Sequence, residues 1–486
     1  MTSPPEAPLS YTEPSNRPSP QMSRNVVPPS ECLSSVRTRL RKRLPVVAVA
    51  AVSVLALSAC GAGSNVGGGS SGGGAGGTTA NVPCDITQPT SSTTVNILAY
   101  NSVATDPFTN VLTSDCKSAN LTLNHPATDL VGQKQRAVQS LSGSSASYDL
   151  VEQFGTVFPL YAARGWTVPM DDYMTKYKDK FNLDKIDPNL LKAADYQGKL
   201  YGLPTYWSVN QMVYRKDIFD KLGLKPPTTF AEMRDDAKVI QDKGGIKYPL
   251  AIPMAPTNDI QGLFGQTIRS LGGDYFVKGE AKPAINTPTG VEAVNELRSL
   301  LPYMSPQTLS FSSPEVTTQL LTGQAAMGML VTGRLSPLVD PSKSPNVANF
   351  AFATPPSVKA GGKPLSFLSV DGFALAKNSA VDPDLLFQLT AVATGDNAAK
   401  AALPNALPAR LDVLQGTTIP FAANALDVLH TADPQPLNPV PYMADVYSVL
   451  GAPIGDAVSG KVDVQQALDN AQSVATKAIQ SSGFGK

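Results

Sequence analysis

The sequence predicts an α/β fold, because strand-like runs alternate with helix-like segments along its 486 residues. Residues 95–100 and 148–153 are short runs of the kind that forms strands, and the second ends in polar residues. Residues 132–141, between them, have helical character. This alternation, without any visible internal repeat, indicates a layered α/β structure.

The later segments continue the alternation up to a closing helix. Helices are predicted at residues 217–222, 229–241 and 289–301, and strands at residues 347–354 and 366–376. Thr229 is a suitable N-cap for the second of these helices. Residues 462–479 form the predicted closing amphipathic helix, in which the apolar residues at helical spacing are Val464, Ala467, Leu468 and Ala471.

The N-terminal part has the pattern of a secretory signal. An uncharged apolar run at residues 44–59 follows a basic cluster formed by Arg37, Arg39, Arg41, Lys42 and Arg43. A basic region, an apolar region and small residues before a cleavage point are typical of a signal peptide. The run is shorter than the roughly 20 residues that a membrane-spanning helix needs. The protein is therefore expected to act outside the cytoplasm.

The end of this run, LSAC at residues 57–60 followed by Gly61, resembles the lipobox of bacterial lipoproteins. The resemblance implies that Cys60 carries the lipid and becomes the first residue of the mature chain; an ordinary signal peptide with an incidental cysteine is the alternative. Residues 61–79 are nearly all Gly, Ser, Ala and Thr, a composition typical of a flexible tether. Residues 1–36 are expected to be disordered, and translation could start at Met1 or at Met22.

Charge and cysteine content narrow the possible functions and binding sites of the protein. The 39 basic and 39 acidic residues balance, so no overall field favours nucleic acid. Cys84 and Cys116 form an even pair in an oxidising compartment, which predicts a disulfide, although two free buried thiols are the alternative. With His125 and His430 as the only histidines and no Cys-x-x-Cys spacing, we predict neither a metal site nor a cofactor.

Several motifs carry a family resemblance when they are taken in order. They are YAARGWTVPMDDY at residues 161–173, YGLP at 201–204 with Tyr206, Trp207 and Asn210 behind it, YRKDIF at 214–219, LGGDYF at 271–276, GQAAMG at 323–328, DGFALAK at 371–377 and NPVPY at 438–442. Together they resemble the extracellular solute-binding proteins of carbohydrate ABC importers, the family of maltose-binding protein. The resemblance covers residues 95–479.

The resemblance implies a two-lobed type II periplasmic-binding-protein fold with hinge crossings and a ligand cleft. The expected divisions are 1–59 for the leader and signal peptide, 60–91 for the lipidated cysteine and tether, 92–205 for the first part of lobe 1, 206–368 for lobe 2, 369–415 for the return to lobe 1, and 416–486 for C-terminal helices on lobe 2. Closure of such a hinge around a ligand shifts an equilibrium between open and closed states.

The function that this resemblance implies is capture of a sugar or sugar derivative and its delivery to an ABC permease. The expected protein is a monomer without enzymatic activity. It is held by its lipid at the extracytoplasmic face of the cell membrane. Its expected partners are a small-molecule ligand, the transmembrane permease subunits and the membrane, but not nucleic acid.

Sugar rings present apolar faces, so aromatic side chains are the first candidates for contact. Tyr206 and Trp207 lie at the expected hinge crossing beside Asn210. Tyr447 follows Pro441 at the place where maltose-binding relatives carry a stacking aromatic residue. For each aromatic residue the alternative is a place in the core.

Polar side chains at the site are expected to form hydrogen bonds with the hydroxyl groups of a sugar. Glu152, Gln153 and Asn101 follow predicted strands, where open α/β sheets bind ligands, although solvated loops are the alternative. Asp371 and Gly372 occupy the place of a glycine pair in many relatives. Arg334 stands where many relatives have an aromatic residue; it could recognise an anion or form a structural ion pair.

Two other functions remain open from the sequence. The same fold could bind a polyamine, a peptide or an organic anion. An extracytoplasmic hydrolase is the second alternative, because glycoside hydrolysis needs only two carboxylates, and Glu152, Asp171 and Asp371 could supply them.

Overall fold

The computed structural model describes residues 84–485 apart from residues 156, 258 and 437–439. The predicted lipidation at Cys60, the tether at 61–79, the leader and the motif residues Asn438 and Pro439 lie outside the described residues. They remain predictions, as do the domain limits drawn from the sequence.

The described residues form twelve strands, most of them short. The strands are β1 (Thr93–Leu98), β2 (Leu121–Asn124), β3 (Leu150–Gln153), β4 (Asp195–Tyr196), β5 (Lys199–Leu200), β6 (Leu203–Arg215), β7 (Leu250–Ala251), β8 (Met327–Val331), β9 (Phe350–Ala353), β10 (Phe367–Leu375), β11 (Leu407–Pro408) and β12 (Gln435–Pro436).

Sixteen α-helices are found in the described ranges. They are α1 (Asp106–Asp115), α2 (Leu130–Ser142), α3 (Phe158–Ala163), α4 (Asp171–Tyr177), α5 (Pro188–Ala193), α6 (Lys216–Leu222), α7 (Phe230–Val239), α8 (Ile260–Ser270), α9 (Pro288–Leu300), α10 (Ser313–Leu321), α11 (Pro383–Ala393), α12 (Asp396–Ala402), α13 (Leu411–Gln415), α14 (Pro420–Thr431), α15 (Met443–Ser459) and α16 (Val464–Ser482). Of the helices that the structure describes, none has both the length and the apolar composition needed to cross a bilayer.

One mixed sheet carries most of the strands, in the order β2-β1-β3-β10-β6-β8-β7. Strands β1, β2 and β3 are parallel, whereas β10 runs antiparallel to both β3 and β6. Strand β6 has 13 residues and pairs with β10 over its first half and with β8 and β9 over its second. Thus β6 joins the two halves of the sheet.

Two large hydrophobic cores lie along this sheet. The first surrounds β1, β3, β10 and the start of β6, and includes residues of α1, α5, α11 and α14, with an extension to α10 and β8. The second surrounds α7, α8, α9, α15 and α16. A smaller cluster lies between α2 and β1, β3 and α3. Helix α14 therefore packs in the first core, while α15 and α16 pack in the second.

The predicted elements are confirmed with small shifts at their ends. The Thr229 side chain accepts a hydrogen bond from the Glu232 backbone amide, as expected for the N-cap of α7. The predicted helix at 229–241 ends in one π-helical turn, Ile240–Gly244. The strand predicted at 347–354 begins later, at Phe350, because Val347–Asn349 forms a 3₁₀ turn.

The predicted disulfide is present. Cys84 and Cys116 are bonded, and their Cα atoms are 5.1 Å apart. Cys116 caps the C-terminal end of α1 and is buried in the first core. The bond therefore fixes the start of the described chain to the first core.

Gly451 allows a close approach of α15 to the loop before α8. A Cβ atom at this position would lie 1.7 Å from the Pro256 carbonyl oxygen, a backbone atom that cannot rotate away. Gly451→Ala is therefore expected to lower the free energy of unfolding by about 1–3 kcal/mol, as overpacking usually does. Urea denaturation measures this change.

Gly262 provides the matched control, because it is also a helical glycine but a Cβ there would meet no atom within 4 Å. Gly262→Ala is expected to raise the free energy of unfolding by about 0.5–1 kcal/mol through helix propensity. Equal effects of the two variants would contradict the proposed clash at Gly451.

Candidate functional site

A cavity of about 430 Å³ is lined by residues from several separate elements. Lys134 of α2 belongs to the lining together with residues of β6, α8, β8, β10 and α15. This volume is within the range of small-molecule sites, about 300–1,000 Å³. The cavity therefore has the size and the position of a cleft between two parts of the fold.

An aromatic and apolar surface covers part of the cavity wall. Tyr447 of α15 and Phe367 of β10 line it together with Met329. The Tyr447 ring is held edge-on against Tyr275, with ring centroids 5.8 Å apart. Burial raises the pKa of Tyr447 to about 12, so its hydroxyl is neutral at physiological pH and can donate or accept a hydrogen bond.

Side-chain amides form the polar part of the same wall. Asn210 Nδ2 donates to Gln266 Oε1 at 2.9 Å, and Gln266 Nε2 donates to the Gly262 carbonyl at 3.2 Å. The Gln261 Oε1 atom is buried and has no hydrogen-bond partner among the described residues. Because buried polar atoms are normally bonded, Gln261 is available to a bound molecule.

Asp259 is the acidic residue of this wall. Its Oδ2 accepts a hydrogen bond from the Ser312 hydroxyl at 2.7 Å. Burial raises the pKa of Asp259, while the Ser312 hydrogen bond and the charge of Arg334 lower it. The two charged side chains that line the cavity, Lys134 and Asp259, thus have opposite signs.

A second group of polar residues, which we call the acid cluster, consists of Glu152, Tyr206 and Asp371 on three adjacent strands, β3, β6 and β10. Glu152 accepts hydrogen bonds from the Tyr100 backbone amide and the Thr105 hydroxyl, both at 3.1 Å. The hydroxyl groups of Tyr206 and Tyr100 are 3.3 Å apart. These contacts orient Glu152 and Tyr206 inside the protein.

Burial makes the acid cluster hard to ionise. Burial and the charge of Asp371 raise the pKa of Glu152 well above its ordinary value. Burial also raises the pKa of Asp371 to about 7, against the lowering effects of the Tyr206 hydroxyl, the Gly155 amide and the Lys134 ammonium group. Lys134, whose charge lowers the pKa of Asp371, is also a residue of the cavity lining.

Two predicted residues line the cavity, and four others lie in or next to the acid cluster, outside the lining. Asn210 and Tyr447 line the cavity itself. Glu152, Tyr206 and Asp371 form the acid cluster, and Gln153 follows Glu152 at the end of β3. Both polar atoms of the Gln153 side chain are buried without a hydrogen-bond partner among the described residues.

Trp207 is not a platform on the cavity wall, which corrects the expectation from the sequence. Its side chain is only 1% exposed and packs in the first core. The indole Nε1 donates to the Pro408 carbonyl at 3.1 Å. The polar group of the ring is therefore satisfied internally.

Three further predicted residues lie outside the cavity lining. Asn101 is exposed and accepts a hydrogen bond from the Thr128 amide, which fixes a loop. Arg334 is exposed on a 3₁₀ turn after β8. Gly372 lies at a bulge, where a Cβ atom would be 2.2 Å from the Leu203 carbonyl oxygen, so it permits the close approach of β10 to β6.

Several cavity residues were not predicted from the sequence: Lys134, Asp259, Gln261, Gln266 and Phe367. Gln261 and Gln266 left a usable signal, because they are polar residues on a helix that is otherwise mostly apolar and buried. Nothing in the sequence distinguishes Lys134 as a cavity residue, because lysines on helices are usually exposed. Asp171, considered for hydrolysis, begins α4 and accepts from the Leu200 amide, apart from the acid cluster.

The family of the chain follows from its sequence together with this architecture. The model of the family described as bacterial extracellular solute-binding protein matches residues 130–400. The chain belongs to this family. Its fold is the two-lobed, mixed α/β type II periplasmic-binding-protein fold, as predicted.

Individual relatives are distant. A Brucella abortus protein named as a binding protein is 27% identical over 199 residues, covering 40% of this chain and 46% of that protein. The chain thus spans about half the length of the first curated relatives it matches. The mannitol-binding protein of Pseudomonas aeruginosa is 24% identical over 379 residues, covering 73% of this chain and 85% of that protein.

Solved structures share the fold over most of the described chain. An ABC transporter solute-binding protein from Agrobacterium radiobacter, in complex with ribitol, has a TM-score of 0.68 with this chain. It is 21% identical and covers 80% of this chain and 100% of its own. At this identity the likeness establishes the fold alone.

Proposed function

We propose that this chain is the lipid-anchored, extracytoplasmic substrate-binding subunit of an ABC importer, and that it captures a sugar or sugar derivative and delivers it to the permease. The observation that carries the proposal is the cavity of about 430 Å³, which combines an aromatic wall with side-chain amides. A polyhydroxylated molecule presents apolar C–H surfaces and many hydroxyl groups, so it matches such a wall.

The polar atoms around the cavity support a ligand rich in hydroxyl groups. Gln261 Oε1 belongs to the lining and is buried without a hydrogen-bond partner in the described part of the chain, and the Asn210 and Gln266 amides lie in the same lining. An amide both donates and accepts, and a hydroxyl group does the same. Ribitol and mannitol, named with two of the relatives, are molecules of this class.

The distribution of charge favours this class over an organic anion. Arg334, the residue that suggested an anion, is exposed outside the cavity lining. Lys134 and Asp259, the charged residues of the lining, have opposite signs. A lining with one cation and one acid has no excess of positive charge to complement an anion.

Capture by closure is supported by the way the chain passes between the two cores. Strand β6 runs from the first core into the sheet region beside the second, and β10 runs antiparallel to its first half. A ligand that contacts Lys134 of α2 together with lining residues of α8 and α15 would favour the closed arrangement over an open one. The anchoring part of the proposal rests on the lipobox-like sequence at Cys60.

Thermal unfolding with a panel of compounds tests the proposal. The panel contains D-mannitol, ribitol, D-glucose, maltose and maltotriose, with putrescine, citrate and a tripeptide as representatives of the other ligand classes. A compound that binds only the folded state stabilises it by about 2.7 kcal/mol at one hundred times its Kd. We expect one or more polyhydroxylated compounds to raise Tm, with Kd then measured by titration calorimetry.

Two outcomes would contradict this function. If putrescine, citrate or the tripeptide alone raised Tm, the fold would serve a different ligand class. If a sugar disappeared during incubation and cleavage products formed, the protein would be an enzyme rather than a carrier.

A further inference from the structure

Arg164 connects two parts of the fold that lie far apart in the sequence. Its Nη2 atom donates a hydrogen bond to the Ser482 carbonyl oxygen at 2.6 Å, across 318 positions of the chain. The guanidinium group also lies over the Phe484 ring, 4.7 Å from the ring centroid. Burial raises the pKa of Asp445, and the charge of Arg164 lowers it. One arginine therefore contacts the end of α16 and acts on the first turn of α15.

The turn that carries Arg164 is fixed to the sheet and to α2. Arg164 is the C-cap of α3. Trp166 packs against Tyr161 with ring centroids 5.7 Å apart, and its carbonyl accepts a hydrogen bond from the Lys377 amide, just after β10. Tyr161 belongs to the smaller cluster, which also contains residues of α2. Arg164 is therefore expected to move together with α2 and α3.

The groups that Arg164 contacts are fixed to the second core. Ser482 is the last residue of α16, and the last carbonyls of a helix have no partner within it. A cation at this end is favourable, because the helix dipole is negative there. Phe484 packs against the second core, and its amide donates to the Ser482 hydroxyl at 3.3 Å. Both contacts are therefore made with groups that move together with α15 and α16.

The same helices contribute to the cavity lining. Lys134 of α2 and Tyr447 of α15 belong to one lining. Helix α3 packs with α2 in the smaller cluster, and α16 packs with α15 in the second core. Moving α2 away from α15 to admit a ligand therefore also separates Arg164 from the end of α16. The contacts of Arg164 thus belong to the closed arrangement.

We propose that Arg164 and residues 482–484 form a latch that holds the ligand-free protein largely closed and thereby sets ligand affinity from outside the cavity. This inference rests on the proposed function above. It assigns Arg164 as a positioning residue, because Arg164 lies outside the lining and acts by keeping α2 near α15. The apparent Kd equals the Kd of the closed form divided by the closed fraction, so losing the latch weakens binding.

Replacing Arg164 with alanine is expected to raise Kd by about three- to tenfold, because a hydrogen bond and an exposed cation–π contact of the closed form are lost. Titration calorimetry with D-mannitol, ribitol and maltose measures Kd. Arg164→Lys keeps the charge but not the planar group, so an intermediate Kd is expected. Arg136→Ala, at an exposed arginine of α2 outside the lining, is the matched control and should keep the wild-type Kd. Equal Kd values for wild type and Arg164→Ala would overturn the inference.

A double-mutant cycle separates the latch from a general loss of structure. Phe484→Ala removes the ring under Arg164, whereas Phe484→Tyr keeps an aromatic face and should stay close to wild type. If the two residues act as one latch, Phe484→Ala should raise Kd less in the Arg164→Ala protein than in wild type. Multiplicative effects of the two substitutions would contradict the latch.

A measurement without ligand separates this inference from the proposed function. Spin labels on Gln139→Cys of α2 and Ser473→Cys of α16, both exposed positions, report the distance between these helices by double electron–electron resonance. The two cysteines outside the disulfide are changed to serine, so that the labels sit on the only free thiols. We expect a short distance to dominate in otherwise wild-type protein, and a longer one to be added in Arg164→Ala.

Identical distance distributions for the two labelled proteins would overturn the latch, whether or not any probe binds. If the distributions differ but no probe binds, the latch is supported, and its effect on affinity fails together with the proposed function. If the distributions differ and a probe binds both proteins with the same Kd, the assignment of Arg164 as a residue that sets affinity is overturned.

Discussion

Replacing Trp207 with alanine is expected to lower the free energy of unfolding by about 3–5 kcal/mol, the usual cost of truncating a buried tryptophan. The side chain is 1% exposed, and the cavity left by its removal would lie inside the first core. The Pro408 carbonyl would also lose its hydrogen-bond donor. Urea denaturation followed by circular dichroism measures the loss.

Trp166 is the matched control, because it is the other tryptophan of the chain and is only partly buried. Trp166→Ala is expected to cost clearly less. Since Trp207 is not part of the cavity lining, folded Trp207→Ala protein should bind its ligand with a Kd within about threefold of wild type. Loss of binding at unchanged stability would place Trp207 on the ligand instead.

Replacing Tyr447 with alanine is expected to weaken ligand binding strongly, in contrast to Trp207→Ala, whose main effect is on stability. The ring lines the cavity and is held by Tyr275. Removing the apolar contact of a side chain of this size costs about 1.5–3 kcal/mol, which corresponds to a rise in Kd of about ten- to hundredfold. Titration calorimetry with a sugar that raises Tm measures the change.

Two further variants test whether the ring or the hydroxyl group of Tyr447 binds the ligand, and whether the effect is specific to this tyrosine. Tyr447→Phe keeps the ring, so most of the affinity should remain if ring contact dominates. Tyr248→Ala removes a tyrosine that is not part of the cavity lining and should leave Kd unchanged. A Tyr447→Ala protein with wild-type Kd would exclude this ring from the ligand site.

The sequence predicted most of the secondary structure because the decisive signals are local. Thr229 caps α7 through its own side chain, and the apolar spacing of α16 is visible within a few turns. The disulfide between Cys84 and Cys116 followed from cysteine number and compartment. Such features depend on neighbouring residues or on counting, so no tertiary information is needed.

The site was only partly predictable because a buried strand hides its orientation. In β6, residues 203–207 are all buried, so alternation cannot show which side chains face a cavity and which face the core. Asn210 was identified from its place beside Tyr206 and Trp207 at the expected hinge crossing. Trp207 was misplaced because its partner, the Pro408 carbonyl, comes from a distant part of the chain.

The placement of β10 between β3 and β6 also determines when the molecule can fold. Gly372 pairs with Gln153 on one side, and Val370 pairs with Trp207 on the other, although these partners lie far apart in the chain. Contacts of such long sequence separation slow folding, because loop-closure entropy is lost before the contacts form. A nascent chain that ends before β10 lacks the strand that unites its sheet, so native folding must wait until most of the protein has been synthesised.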